Sequence, residues 1–120
     1  MVLVDTSVWA DHFCSGDTRL ESLLEQEEVV CHPHVIGELA CGNLSNRKEI
    51  LSLLQSLPQT DVARQEEILH FIEIHRLMGI DLGLVDVHLL ASARISRLPI
   101  WTKDRLLKTA AERLDLNFQL

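Results

Sequence analysis

Two stretches of this 120-residue chain end an apolar run on a carboxylate with a hydroxyl residue close by. In MVLVDTS, Asp5 follows four apolar residues and precedes Thr6 and Ser7; in LPIWTKD, Asp104 stands two residues after Thr102. Two further acids, Glu38 in VIGELA and Asp86 in LVDVHLLA, interrupt apolar stretches where a purely structural sequence would place an uncharged side chain. Each has an ordinary explanation. Asp5 or Ser7 suits a helix cap, Asp86 suits the positive end of a helix, and Glu38 could lie on an exposed helix face. All four together point to something else. Clustered carboxylates repel one another and resist burial, so they are tenable together only around a cation. Oxygen donors without paired thiolates favour Mg2+, with Mn2+ as the alternative, over zinc. Such a site suits phosphodiester hydrolysis by a metal-activated water, with no covalent nucleophile.

The elements that would carry these residues alternate between strand and helix. An opening strand leads into a short helix from Ser7 to Phe13, broken by Ser15-Gly16-Asp17, and TRLESLLEQE reads as a second helix. Val29-Val30-Cys31 is a short strand. His32-Pro33 then opens a helix over HVIGELACG, and Asn46 is the expected cap of RKEILSLLQS. After a turn at Leu57-Pro58-Gln59, the stretch from about Asp61 to Met78 is predicted as the longest helix. A loop bracketed by Gly79 and Gly83, the helix VDVHLLASARIS, the strand LPIWT and the helix DRLLKTAAERL complete the order, with NFQL as a candidate edge strand. The pattern implies an α/β domain with a largely parallel sheet and helices on both faces. In such a sheet the ends of parallel strands share one edge, where ligands bind, so Asp5 and Asp104 are expected to meet there.

Composition sets the outer limits. With 47% hydrophobic and 24% charged residues the chain reads as a single globular domain over residues 1–120. No apolar run reaches the roughly 18 residues of a membrane span, and neither a basic leader nor a signal core is present, so a cytoplasmic location is the expectation. Cys14, Cys31 and Cys41 are odd in number and lack a C-x-x-C pair, which indicates neither a disulfide framework nor a thiolate zinc site. The net charge of −7 argues against gripping nucleic acid by bulk attraction, although Arg94, Arg97, Lys103, Arg105, Lys108 and Arg113 crowd the C-terminal part.

Competing assignments are weaker. Cys31, His32, His34 and Cys41 have irregular spacing that matches no zinc motif. His88 lies two residues from Asp86 and lines the same helix; Asp81 is a reserve candidate for Asp86, though a loop role suits it better. Trp9 and Trp101 lie in or beside apolar elements and read as core rather than as stacking platforms. Lys103 and Arg105 flank Asp104 and are the best candidates for contacts to backbone phosphates. An aspartyl phosphotransfer domain is one alternative, but Ser7 stands where it would need a second aspartate. A catalytically inactive scaffold that binds a partner is another.

The segments LVDTSVW, IGELACG, GLVDVHLLASA and IWTKD resemble, in order and over essentially the whole chain, the motifs of PIN-domain ribonucleases. The likeness is strongest to VapC-type toxins of bacterial toxin–antitoxin pairs. The resemblance implies a PIN-like three-layer α/β/α sandwich and Mg2+- or Mn2+-dependent cleavage of single-stranded RNA. Residue by residue it assigns Asp5, Glu38, Asp86 and Asp104 to the acidic, metal-binding quartet, and Ser7 and Thr102 to the hydroxyl groups that support it. It further implies a homodimer and a cognate VapB-type antitoxin whose tail blocks the acids, often with an arginine. Operator DNA would be bound only through that antitoxin, and no membrane is involved.

Overall fold

The computed structural model describes residues 1–119. Three parallel strands, β1 (Val2–Val4), β2 (Val29–Val30) and β3 (Ile100–Trp101), form a sheet in the order β2-β1-β3. Val2 pairs with Val29 and Leu3 with Val30 on one side of β1; Leu3 pairs with Ile100 and Val4 with Trp101 on the other. Successive strand side chains point to opposite faces, yet Val2, Leu3 and Val4 are all at most 1% exposed, so both faces are covered. Among the described residues the covering comes from seven helices: α1 (Thr6–Ser15), α2 (Thr18–Glu25), α3 (Pro33–Ala40), α4 (Arg47–Ser56), α5 (Gln65–His75), α6 (Leu84–Ser96) and α7 (Arg105–Arg113). The result is the α/β/α layering expected of the alternating pattern. No helix among the described residues is long and apolar enough to cross a membrane.

The longest helix is α6, in which every residue from Val87 to Ala93 is buried. A helix buried all round sits inside the domain rather than on it. This fixes the depth of Asp86 in its first turn. The expected long helix over residues 61–78 is instead α5 alone, and the reason is tertiary. The Cys31 N–H donates to the Pro58 carbonyl (2.8 Å) and the Thr60 N–H to the Cys31 carbonyl (3.0 Å), so this stretch extends the sheet edge past β2. Ser92 Oγ, on the buried helix, then holds the Asp61 carbonyl (2.9 Å). Helical winding begins only after Arg64, whose N–H is taken by the Glu67 carboxylate (2.8 Å). It stops at Arg76, which adopts a left-handed conformation (φ 53°) while the Leu77 N–H reaches back to the Ile72 carbonyl (3.0 Å).

Two smaller expectations are also corrected. Asn46 does precede α4, but at φ 54° its amide makes no capping hydrogen bond. The C-terminal NFQ segment forms a single parallel bridge, Ile100 to Asn117, rather than a full edge strand, and Leu120 lies outside the described residues. Trp9 and Trp101 are core residues at 0% and 4% exposure, as their apolar settings suggested.

Candidate active site

Asp5 leaves β1 at the edge where β3 also ends, because its N–H donates to the Trp101 carbonyl (2.9 Å) and continues the parallel ladder by one residue. This register brings Thr102 against Asp5. The Thr102 and Ser7 hydroxyls both donate to Asp5 Oδ2, each at 2.7 Å. Their own oxygens accept backbone N–H groups in turn, Thr102 from Asp104 (3.0 Å) and Ser7 from Lys103 (2.9 Å). Both hydroxyl protons being committed to Asp5, the 3.3 Å approach of Ser7 Oγ to Thr102 Oγ1 is a packing contact rather than a hydrogen bond. The helix-capping explanation for Asp5 survives only weakly, since the Ser7 N–H is 3.4 Å from Oδ2. The two short bonds orient the carboxylate, and Oδ1 is left without a hydrogen-bond donor among the described residues.

The other acids approach from three helices. Asp104 caps α7, its Oδ1 accepting from the Leu106 N–H at 3.3 Å. Glu38, on α3, is held by the Thr6 hydroxyl, which donates to Oε1 at 2.6 Å. Asp86, in the first turn of α6, accepts the Gly83 N–H at 3.1 Å. Its pKa is raised, first by burial and then by the charges of Asp5, Asp104 and Glu38, with the Gly83 bond pulling the other way. Asp86 therefore lies within electrostatic reach of all three other acids. None of the four has a cationic side chain in ion-pair contact among the described residues. This is uncompensated negative charge, with Asp5 buried, Asp86 and Asp104 half-buried, and Glu38 on an exposed face of α3 as its sequence position allowed.

No three carboxylate, histidine or thiol groups among the described residues stand close enough to form a ready-made coordination sphere. That arrangement still suits a hard divalent ion. Mg2+ typically keeps several waters and takes only one or two carboxylates directly, so it does not need a tight protein cage. The free Oδ1 of Asp5 and the repulsion felt by Asp86 provide the donor and the reason for a cation.

Several other residues fall away from the site. Cys31 is a buried thiol whose pKa is pushed up to about 12 by burial, which is unlike a thiolate ligand. Cys41, beyond the far end of α3, is exposed, so the irregular cysteine–histidine group does not converge. His32 is fully buried: its Nδ1 accepts the His34 N–H (2.9 Å) and its Nε2 faces Ser92 Oγ (3.2 Å). Asp81 is an exposed loop residue at φ 62°. Lys103 turns its ammonium away from Asp104 to Asp11 and Asp17, the latter at 2.8 Å. It is thus not free to hold a phosphate, nor placed as a phosphotransfer site would require. Thr6 was missed from sequence. Only its position beside Asp5 hinted at a role, because its partner Glu38 becomes a neighbour through the packing of α1 on α3.

A strand-edge acid held by two hydroxyls, with further acids carried by flanking helices of an α/β/α domain, is the arrangement that the sequence resemblance implies. The PIN-domain family model matches residues 2–113, and the chain belongs to that family. It is 45% identical, over 111 residues covering 92% of this chain and 90% of the relative, to a protein of Mycobacterium tuberculosis named Ribonuclease VapC32. Solved structures share the fold at lower identity. A toxin–antitoxin complex from Klebsiella pneumoniae superposes with a TM-score of 0.65 at 21% identity, covering 87% of each chain. FitAcB from Neisseria gonorrhoeae gives 0.63 at 20% identity, covering 93% of this chain and 94% of its own.

Proposed function

We propose that this chain is the toxin of a type II toxin–antitoxin pair, an endoribonuclease that hydrolyses phosphodiester bonds in single-stranded RNA with Mg2+, or alternatively Mn2+. The observation that carries the reading is Asp86, whose carboxylate is disfavoured by burial and by Asp5, Asp104 and Glu38 while no side-chain cation compensates it. Kinship to a protein named as a VapC ribonuclease supports the choice of RNA.

Asp5, Glu38, Asp86 and Asp104 would hold the metal. When bound, it supplies Lewis-acid stabilisation of the phosphate and a more acidic water. The chain's own contribution is orientation. Ser7 and Thr102 fix the Asp5 carboxylate by its Oδ2, leaving Oδ1 without a donor among the described residues, while Thr6 fixes Glu38. Mutual repulsion disfavours the ionised form of Asp86, and a bound cation would offset that repulsion.

By the same kinship the partner is a VapB-type antitoxin, whose tail would present a cation to these acids. A homodimer, operator binding through the antitoxin and a cytoplasmic location complete the reading. The test is incubation of the purified protein with single-stranded RNA and Mg2+ or Mn2+, with chelator and the Asp5→Ala and Asp86→Ala variants as controls. Cleavage should disappear in every control. Degradation that persists without metal and in both variants would overturn the assignment.

A further inference from the structure

The ion pair made by Lys103 has a second effect, on the charge balance of the cleft beside it. Asp17 is engaged at both oxygens: Oδ1 accepts the Arg19 and Leu20 N–H groups, both at 3.0 Å, and Oδ2 takes the Lys103 ammonium that it shares with Asp11. Its pKa is lowered chiefly by that Lys103 hydrogen bond. The Asp17–Lys103 pair itself forms part of the wall of a cleft of about 490 Å3, whose lining also includes Arg19, Arg105, Lys108 and Thr102. Among the described residues none of these three cations forms an ion pair or a side-chain hydrogen bond. In a chain of net charge −7 this is a local concentration of uncompensated positive charge. It adjoins the acids directly, since the Thr102 that lines it also donates to Asp5.

We propose that this cleft is a phosphate subsite: Arg19, Arg105 and Lys108 hold a backbone phosphate of the RNA strand adjacent to the one being cleaved. The proposal rests on the nuclease reading above. Its logic is electrostatic. A strand carrying one negative charge per nucleotide is repelled by four carboxylates, and a metal at those carboxylates engages only the scissile phosphate. Cations displaced to one side can attract the flanking backbone without neutralising the acids. Lys103 separates the two functions, because its ammonium occupies Asp11 and Asp17 while its backbone N–H supports Ser7. Arginine supplies a planar fork for phosphate oxygens and lysine a point charge, so the pair of types fits a phosphodiester.

The test has two arms. In chelator, where no cleavage occurs, fluorescence anisotropy of a single-stranded RNA oligonucleotide should show about tenfold weaker binding by Arg105→Ala/Lys108→Ala, with a shallower dependence on salt. Arg105→Gln/Lys108→Gln, checked for an unchanged melting temperature, guards against misfolding and should behave alike. With metal, the same variants should raise KM about tenfold while kcat stays within about twofold. Replacing single phosphates by neutral methylphosphonates should reveal one flanking position that matters to the wild type and no longer matters to the variant. Unchanged KM and affinity in the variants, with cleavage still metal-dependent, would overturn the phosphate subsite and leave the nuclease reading intact. Cation-dependent RNA binding without any cleavage would instead remove the nuclease reading. Variants that keep RNA affinity but lose the antitoxin would reassign the cleft to a protein partner and refute the proposal.

Discussion

The substitution Thr102→Val tests whether the Asp5 carboxylate is held by hydroxyl groups as the structure shows. Valine matches threonine in shape but removes the Oγ1 that donates to Asp5 Oδ2 at 2.7 Å and accepts the Asp104 N–H at 3.0 Å. Thr102 and Asp5 are only 7% and 4% exposed, so water replaces neither contact readily. A hydrogen bond to a charged group contributes roughly 1.5–3 kcal/mol and a neutral one about 1 kcal/mol. Burial of the added methyl returns up to about 1 kcal/mol. The net loss is about 2 kcal/mol, which lowers the melting temperature of a domain this size by roughly 6–12 °C. Urea denaturation at neutral pH in chelator, repeated in an Asp5→Asn background, isolates the charge-assisted part. Without the carboxylate the Thr102→Val loss should shrink by about 1 kcal/mol. Equal losses in the two backgrounds would show that Thr102 does not act through the Asp5 charge and would remove the proposed basis for its positioning role. Cleavage should parallel the stability result: Thr102→Val lowers kcat, whereas Thr102→Ser, which retains the hydroxyl, largely preserves it.

Asp86→Asn should abolish cleavage yet raise thermal stability at neutral pH without metal. The raised pKa means that the folded state disfavours the carboxylate; stability is lost as pH rises from the unfolded value through the folded one. The gain should vanish in strongly acidic solution, and added Mg2+ should stabilise the wild type more than the variant; the same melting curve at all pH values would refute it. His32, whose pKa is lowered to about 4 mainly by burial and then by His34 and His88, is held neutral in the fold. The unfolded chain takes up a proton near pH 6.5 and the folded one only near 4, so stability falls as pH drops across that window. His32→Asn, which retains an acceptor for the His34 N–H, should flatten this slope in acid denaturation measurements. Lys103→Met should raise KM for RNA, because Asp17 would then be free to offset the neighbouring cations, with kcat changing less; an unaltered KM would refute it. Leu107→Ala, at a fully buried position of α7, should lose about 2–5 kcal/mol in chemical denaturation.

The parts of the candidate site written in local order were legible from the residues alone. Asp5 and Asp104 each follow a short apolar strand, and a parallel sheet puts such strand ends on one edge whatever the details of packing. Asp86 and Glu38 stood out because each interrupts an apolar helix. What sequence order did not carry was anything decided by a distant partner. The start of α5 depends on Cys31 capturing residues 58–60, and its end on an arginine in a conformation that glycine more often marks. The same holds for Thr6, whose contact with Glu38 spans 32 residues, and for Lys103, which lies beside Asp104 in sequence but pairs with acids 92 and 86 positions away.

That last pairing explains how opposite charges coexist at one sheet edge. If the Lys103 ammonium turned toward Asp104, it would neutralise the acids and weaken any need for a metal. If Asp17 were unpaired, its carboxylate would quench the adjoining cations instead. Drawing Lys103 to Asp11 and Asp17 takes one cation from beside the four acids and offsets the Asp17 carboxylate in the cleft, where Arg19, Arg105 and Lys108 stay unpaired among the described residues. The pair is partly exposed, with Lys103 at 38% and Asp17 at 14% side-chain exposure, so its own contribution to stability is small. Its consequence lies in function: a polyanion meets attraction and repulsion in adjacent places, and the boundary between them sets which phosphate reaches the acids.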